Sequence, residues 1–227
     1  MRKMAAWILT LQILAWSAVM AVAVLWPAGT LAYPGGWGFI AIFVVGGFAV
    51  SFWLYRHNPR LLRERMASPI QREQKSWDRA FLSTFILAFF GWMMFMAWDA
   101  AQSQFAAVPP WVQVVGGVAV SAGFFGGWLA FRENTFAAPV VKIQDGQKPI
   151  DTGVYGVVRH PMYAGTVLYL TGLPLLLGSW RGLLAVPILI LGLSWRIVHE
   201  ERTLRAELPG YAEYAARVRY RLIPHVW

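Results

Sequence analysis

Six apolar runs alternate with polar segments along this chain, at Met4 to Leu25, Trp37 to Tyr55, Ala80 to Trp98, Trp111 to Phe131, Met162 to Leu177 and Leu183 to Val198. A helix needs about 20 apolar residues to cross a hydrocarbon core, and the first four runs reach that length. The first begins after Arg2 and Lys3 as a signal peptide would, but its apolar stretch is too long and no clear small-residue cleavage pattern follows. The last two runs are marginal for a full crossing, and Pro174 and Pro187 are placed to kink them. They read as short tilted spans or as a helical hairpin turning at Gly178 to Gly182. The pattern predicts an all-α integral membrane protein of about six transmembrane or hairpin helices in one membrane domain. Residues 1–131 hold four N-terminal transmembrane helices; residues 132–227 hold a loop, the hairpin and a tail. In that tail Pro209-Gly210 precedes a short amphipathic stretch, Tyr211 to Leu222, suited to the membrane interface.

Composition agrees with this pattern. Of the 227 residues 58% are hydrophobic and only 14% charged, and 13 are Trp, a mix that suits bilayer spans with aromatic anchors at the interfaces. Cysteine is absent, which removes disulfides, thiolate metal sites and a cysteine nucleophile. The net charge of +9 would fit nucleic acid in a soluble protein. Here the cations cluster in the N-terminus, 56–79, 132–159 and the tail, with Arg181 alone at the hairpin tip. Such clustering places those segments, and both termini, on the cytoplasmic side of a plasma or inner membrane. The fourth run carries Gly116, Gly117, Gly123, Gly126 and Gly127, spacings that let helices approach closely.

Candidate chemistry sits at the base of the hairpin. The stretch Asp151 to Gly165 reads D-T-G-V-Y-G-V-V-R-H-P-M-Y-A-G. A residue before proline avoids helical geometry, and proline suits the first helical position. Pro161 is therefore expected to open the fifth helix, with its free N–H groups and positive dipole end beside Arg159 and His160. Arg159 adds a guanidinium fork for an anion, Gly153, Gly156 and Gly165 permit close backbone approach, and Tyr155 and Tyr163 offer rings and hydroxyls. A second polar cluster, His199-Glu200-Glu201-Arg202, lies at the far end of the hairpin, on its last turn or just past it. Arg196 and Glu200 are four apart and share a helix face. Folding the hairpin brings the two clusters together into a pocket with positive and negative groups, suited to a zwitterion carrying a ribose.

Each residue alone has a plainer reading. Arg159 suits a phospholipid headgroup contact, and Glu200 or Glu201 an interfacial charge paired with Arg202 or Arg205. His199 reads as solvated, with no second His at metal spacing, so no metal is expected. Tyr211, Tyr214 and Tyr220 read as interface anchors. No G-x-G-x-x-G follows a strand, which leaves no Rossmann nucleotide domain.

Taken together, G-V-Y-G-V-V-R-H-P-M-Y-A-G, a short hairpin, and E-E-R-T-L-R-A-E-L-P-G-Y-A-E-Y-A-A-R-V-R-Y-R-L-I-P resemble the isoprenylcysteine carboxyl methyltransferase family and its phospholipid methyltransferase relatives. The resemblance covers about Asn134 to Trp227. It implies an integral membrane enzyme using S-adenosylmethionine, with Tyr155, Arg159, His160, Pro161, Tyr163, Gly165, Glu200 and Glu201 at the cofactor and Arg159, His160 and Glu200 as candidate catalytic residues. The expected partners are membrane lipids and a lipophilic methyl acceptor (a carboxylate, amine or thiol). Two other readings stay open: an NADPH-dependent reductase on the same scaffold, with Arg202 and Arg205 as candidates for the 2′-phosphate, and a non-enzymatic lipid-binding protein.

Overall fold

A computed structural model describes residues 2–71, 73–102 and 107–227, and among them every regular element is helical. Arg72, counted above among the loop cations, and the segment 103–106 lie outside the described residues. Eight α-helices follow one another: α1 (Arg2–Ala28), α2 (Pro34–His57), α3 (Pro59–Met66), α4 (Ser76–Gln102), α5 (Pro110–Glu133), α6 (Pro161–Leu177), α7 (Val186–Glu207) and α8 (Tyr211–Arg217). Among the described residues, five stretches are long and apolar enough to cross a membrane: Leu9–Ala28, Pro34–His57, Ser76–Gln102, Pro110–Glu133 and Arg181–Glu207. Helix α6, at 17 residues, is the short one.

Their apolar side chains are directed outward as well as inward. Trp26, Leu87 and Ile188 are 77%, 75% and 70% exposed, a distribution that water would penalise and a lipid environment accepts. Inside the bundle, Val24, Phe39, Met93, Met96, Val120, Leu170, Leu173, Leu177 and Ile197 form a core with contributions from α1, α2 and α4 through α7.

Helices α5 and α6 pack backbone to backbone. A Cβ built on Gly123 would lie 2.7 Å from the Gly165 carbonyl oxygen, and one on Gly172 would lie 2.7 Å from that of Gly116. The pairs 123 with 165 and 116 with 172 run in opposite directions, so the helices are antiparallel and meet at glycines seven residues apart on each. Dispersion contact at this range replaces the hydrophobic drive that lipid cannot supply. Gly165 faces α5 in this seam. It belongs to helix packing, and the close approach expected of it to a ligand is instead to a neighbouring backbone.

Two further departures from the sequence expectations have physical causes. Helix α7 continues to Glu207, well past Val198, because His199 to Glu207 contains good helix formers and no breaker before Pro209-Gly210. Only α6 is therefore marginal in length. Residues 59–66, placed in a charged loop by their composition, form α3, with Pro59 in its first turn and the Asn58 side chain accepting the Leu61 N–H at 3.1 Å.

Candidate functional site

The ends of α5, α6 and α7 at the 134–160 loop carry a dense polar network. Glu201 is its hub, with a side chain 4% exposed. Its Oε1 accepts from Arg159 Nε at 2.6 Å and lies 3.2 Å from His160 Nε2, while Oε2 accepts from Arg221 Nε at 3.0 Å. Arg159 Nη1 also donates to the carbonyls of Val218 and Arg219, at 2.7 and 2.8 Å. The backbone N–H groups of Arg159 and His160 donate to the carbonyls of Tyr220 and Arg221. This network clamps the C-terminal tail across the start of α6. An ion pair this buried is stable only when its remaining hydrogen-bonding positions are filled, and here the tail fills them.

Glu200, one position earlier, points elsewhere. Its Oε2 accepts the Tyr163 hydroxyl at 2.8 Å. The Tyr163 ring lies 5.6 Å from the Arg196 guanidinium. Arg196 in turn donates from Nε to Asp78 Oδ1 at 2.8 Å and from Nη2 to the Pro139 carbonyl at 2.9 Å. Asp78 is fully buried in the first turn of α4, and its Oδ2 accepts the Val141 N–H at 2.8 Å and Gln74 Nε2 at 2.9 Å. A chain of partners thus runs from α4 through α7 and α6 to one carboxylate. Arg196, paired with Glu200 by helix spacing, is instead held by Asp78. That contact spans 118 positions, and periodicity carries no signal for it.

Beside Glu200 opens a narrow cavity of about 100 Å³, or about 780 Å³ of empty space when the open solvent at its mouth is included. Of the residues expected at the cofactor, Tyr155, Arg159, His160, Tyr163 and Glu200 line it. Pro161, Gly165 and Glu201 do not: Pro161 opens α6, Gly165 meets α5, and Glu201 holds the tail. The loop contributes Phe136, Lys148 and Ile150, and the tail contributes Tyr211 and Tyr214. Both tail tyrosines are buried against Ile143 and Leu204, where the sequence suggested interface anchors. Their four-residue neighbourhood beside Ala215 and Val218 could have signalled a packed face. The Tyr214 hydroxyl donates to the Tyr155 carbonyl at 3.0 Å. The Tyr211 hydroxyl is buried without a hydrogen-bond partner among the described residues. Burial pushes the Tyr155 hydroxyl up to about 12 and raises that of Tyr211 further, so both stay protonated donors near neutral pH. His199 stacks near Trp195, 3.9 Å between ring centroids, outside the cavity lining. Among the described residues no group of His, Cys, Asp or Glu has a metal-binding arrangement.

Residues 111–208 match the phospholipid methyltransferase family. The stretch is a little under half of the chain. It runs from the start of α5 to the end of α7 and carries most of the cavity wall, including Tyr155, Arg159, His160, Tyr163 and Glu200. The matched family is among those the motifs resemble, and the apolar helices place the chain among integral membrane proteins. No curated protein matches the chain.

Proposed function

We propose that this protein is a membrane methyltransferase that binds S-adenosylmethionine in the cavity beside Glu200, from the cytoplasmic side, and methylates a lipid acceptor. The observation that carries this reading is the cavity's donor set within the stretch that matches a methyltransferase family. Glu200 offers a carboxylate for an amino group or a ribose diol, already oriented by Tyr163. Tyr155, Tyr211, Tyr214 and Phe136 offer ring faces, which attract a cation such as a sulfonium. The orphaned Tyr211 hydroxyl is a buried donor awaiting an acceptor, and leaving one unpaired is costly. These residues fit the cofactor.

S-adenosylmethionine supplies an electrophilic methyl on sulfur when bound. The chain's part is alignment and exclusion of water. Arg159 is engaged by Glu201 and the tail, so its role is to fix the pocket's wall and keep His160 in place. An amine acceptor must lose a proton as it is alkylated, and Glu200 or His160 stands in the cavity to receive it. A carboxylate acceptor needs no base. The reductase reading is disfavoured because its candidate phosphate ligands, Arg202 and Arg205, are exposed and lie outside the cavity lining.

Calorimetric titration of detergent-solubilised protein with S-adenosylhomocysteine tests the reading. Saturable binding is expected, weakened at least ten-fold in Glu200→Gln, with no binding of NADPH. Binding of NADPH alone would overturn it in favour of the reductase.

A further inference from the structure

A second recess lies on the other side of the wall that closes the cofactor cavity. Helices α1, α2 and α3 border an open groove of about 210 Å³, lined by Leu9, Ile13, Trp16, Phe43, Val50 and Leu54 among others. Along α2 the lining reaches from Leu54 to Phe43, eleven residues or about 16 Å of rise from the loop end toward the middle of the bundle. Its flank at Trp16 is 48% exposed, so the groove opens sideways to lipid.

One charged side chain lines it: Arg65, at the loop end. Its guanidinium packs 4.1 Å from the Phe131 ring centroid. Nη1 donates to the Ala137 carbonyl at 3.0 Å and lies 3.7 Å from Met162 Sδ. Ala137 and Met162 both line the cofactor cavity. Arg65 therefore stands where the two recesses share a wall. Arg65 is half-buried, and among the described residues no carboxylate comes within ion-pair distance of it. The buried arginines described above, Arg159 and Arg196, each have a carboxylate partner. A guanidinium with no carboxylate partner keeps N–H groups free, and their fork suits the two oxygens of a phosphodiester.

We propose that the α1–α2–α3 groove receives an acyl chain of a glycerophospholipid, and that Arg65 binds its phosphate. The headgroup then extends past Met162 and Ala137 into the cavity beside Glu200. This inference rests on the methyltransferase reading for the lipid's role as acceptor, while the binding site stands on the groove and Arg65 alone. It separates the two reactants: one chamber for the cofactor, one for the lipid, and a single cation at their junction.

Fluorescence anisotropy of the solubilised protein tests this with two probes of identical labelled acyl chains, phosphatidylethanolamine and diacylglycerol. The wild type is expected to bind the phospholipid at least ten-fold more tightly. Arg65→Gln should bring phospholipid affinity to the diacylglycerol level, with Arg65→Lys in between. Ser51→Trp, which fills the groove from α2, should weaken both probes and leave S-adenosylhomocysteine binding unchanged. Equal affinity of the wild type for the two probes, or wild-type phospholipid affinity in Arg65→Gln or in Ser51→Trp, would overturn the proposal. Loss of the cofactor titration with the lipid preference intact would sink the methyltransferase reading and leave the lipid site standing.

Discussion

The two ends of the helical hairpin bury polar groups in different ways. At the tip, Asp99 of α4 accepts from the Ser179 hydroxyl at 2.7 Å and from Arg181 at 3.0 Å, and Ser179 accepts the Gly182 N–H. Trp92 and Tyr33 add bonds to the Gly182 and Leu177 carbonyls. Tyr33, Asp99 and Arg181 also line an open recess, but each of these groups already has a partner, fastening the turn to α4 and to the segment before α2. At the loop end, Glu201 does the same work for the tail, but Glu200 beside it and Tyr211 across from it face a cavity. A polar cluster whose groups are all partnered is scaffold. One that fastens its neighbours and leaves a carboxylate and a hydroxyl facing an opening is equipped to take a ligand.

Substitutions at the two ends can break this contrast. The largest loss of stability is expected for Glu201→Ala, which strands Arg159 and Arg221, on the scale of about 3–5 kcal/mol for a broken buried pair. Thermal unfolding in detergent should show it as the lowest melting temperature of the set, with cofactor binding lost as the tail detaches. Asp99→Ala is expected to cost less, about 1–3 kcal/mol, because Arg181 is half exposed and can turn to water. The same melts should rank it second, while S-adenosylhomocysteine titration stays at the wild-type value. Glu200→Gln should keep the Tyr163 hydrogen bond and shift stability by no more than about 0.5 kcal/mol, yet weaken the cofactor at least ten-fold. Tyr211→Phe removes a hydroxyl with no partner, so stability should hold or rise by up to about 1 kcal/mol. Its cost should appear in cofactor affinity alone. If Tyr211→Phe melts lower and binds normally, the hydroxyl is scaffold and the contrast between the ends fails there.

Much of the architecture was legible in the chain. The apolar runs place α1, α2, α4 and α5 within a few residues of their ends, because a span must be both long and uncharged. The proline before Met162 marks the start of α6 by stereochemistry alone. The site was legible as a meeting of two clusters, but the division of labour between neighbours was not. Glu200 and Glu201 read alike in sequence. Helical geometry sends one toward α6 and the cavity and the other toward the tail, and only the tail's path distinguishes them. Asp78 stands in sequence among the charges of 56–79, and its pairing with Arg196 depends on how α4 meets α7. Gly165 read as a ligand contact because a glycine's use depends on what approaches it, here the carbonyl of Gly123.

The seventeen residues of α6 also set a length. They rise about 25 Å, some 5 Å short of a hydrocarbon core of about 30 Å. Glycine-to-glycine contact with α5 ties the tilt of α6 to that of α5, so in a crossing α6 the mismatch would fall on the bilayer, thinning it locally, or on the loop end, sinking it. Either response brings His160, Pro161 and the cavity floor below the plane of the surrounding headgroups. On the proposed function, a lipid acceptor would reach that floor by moving sideways more than upward, with most of its chains kept in hydrocarbon.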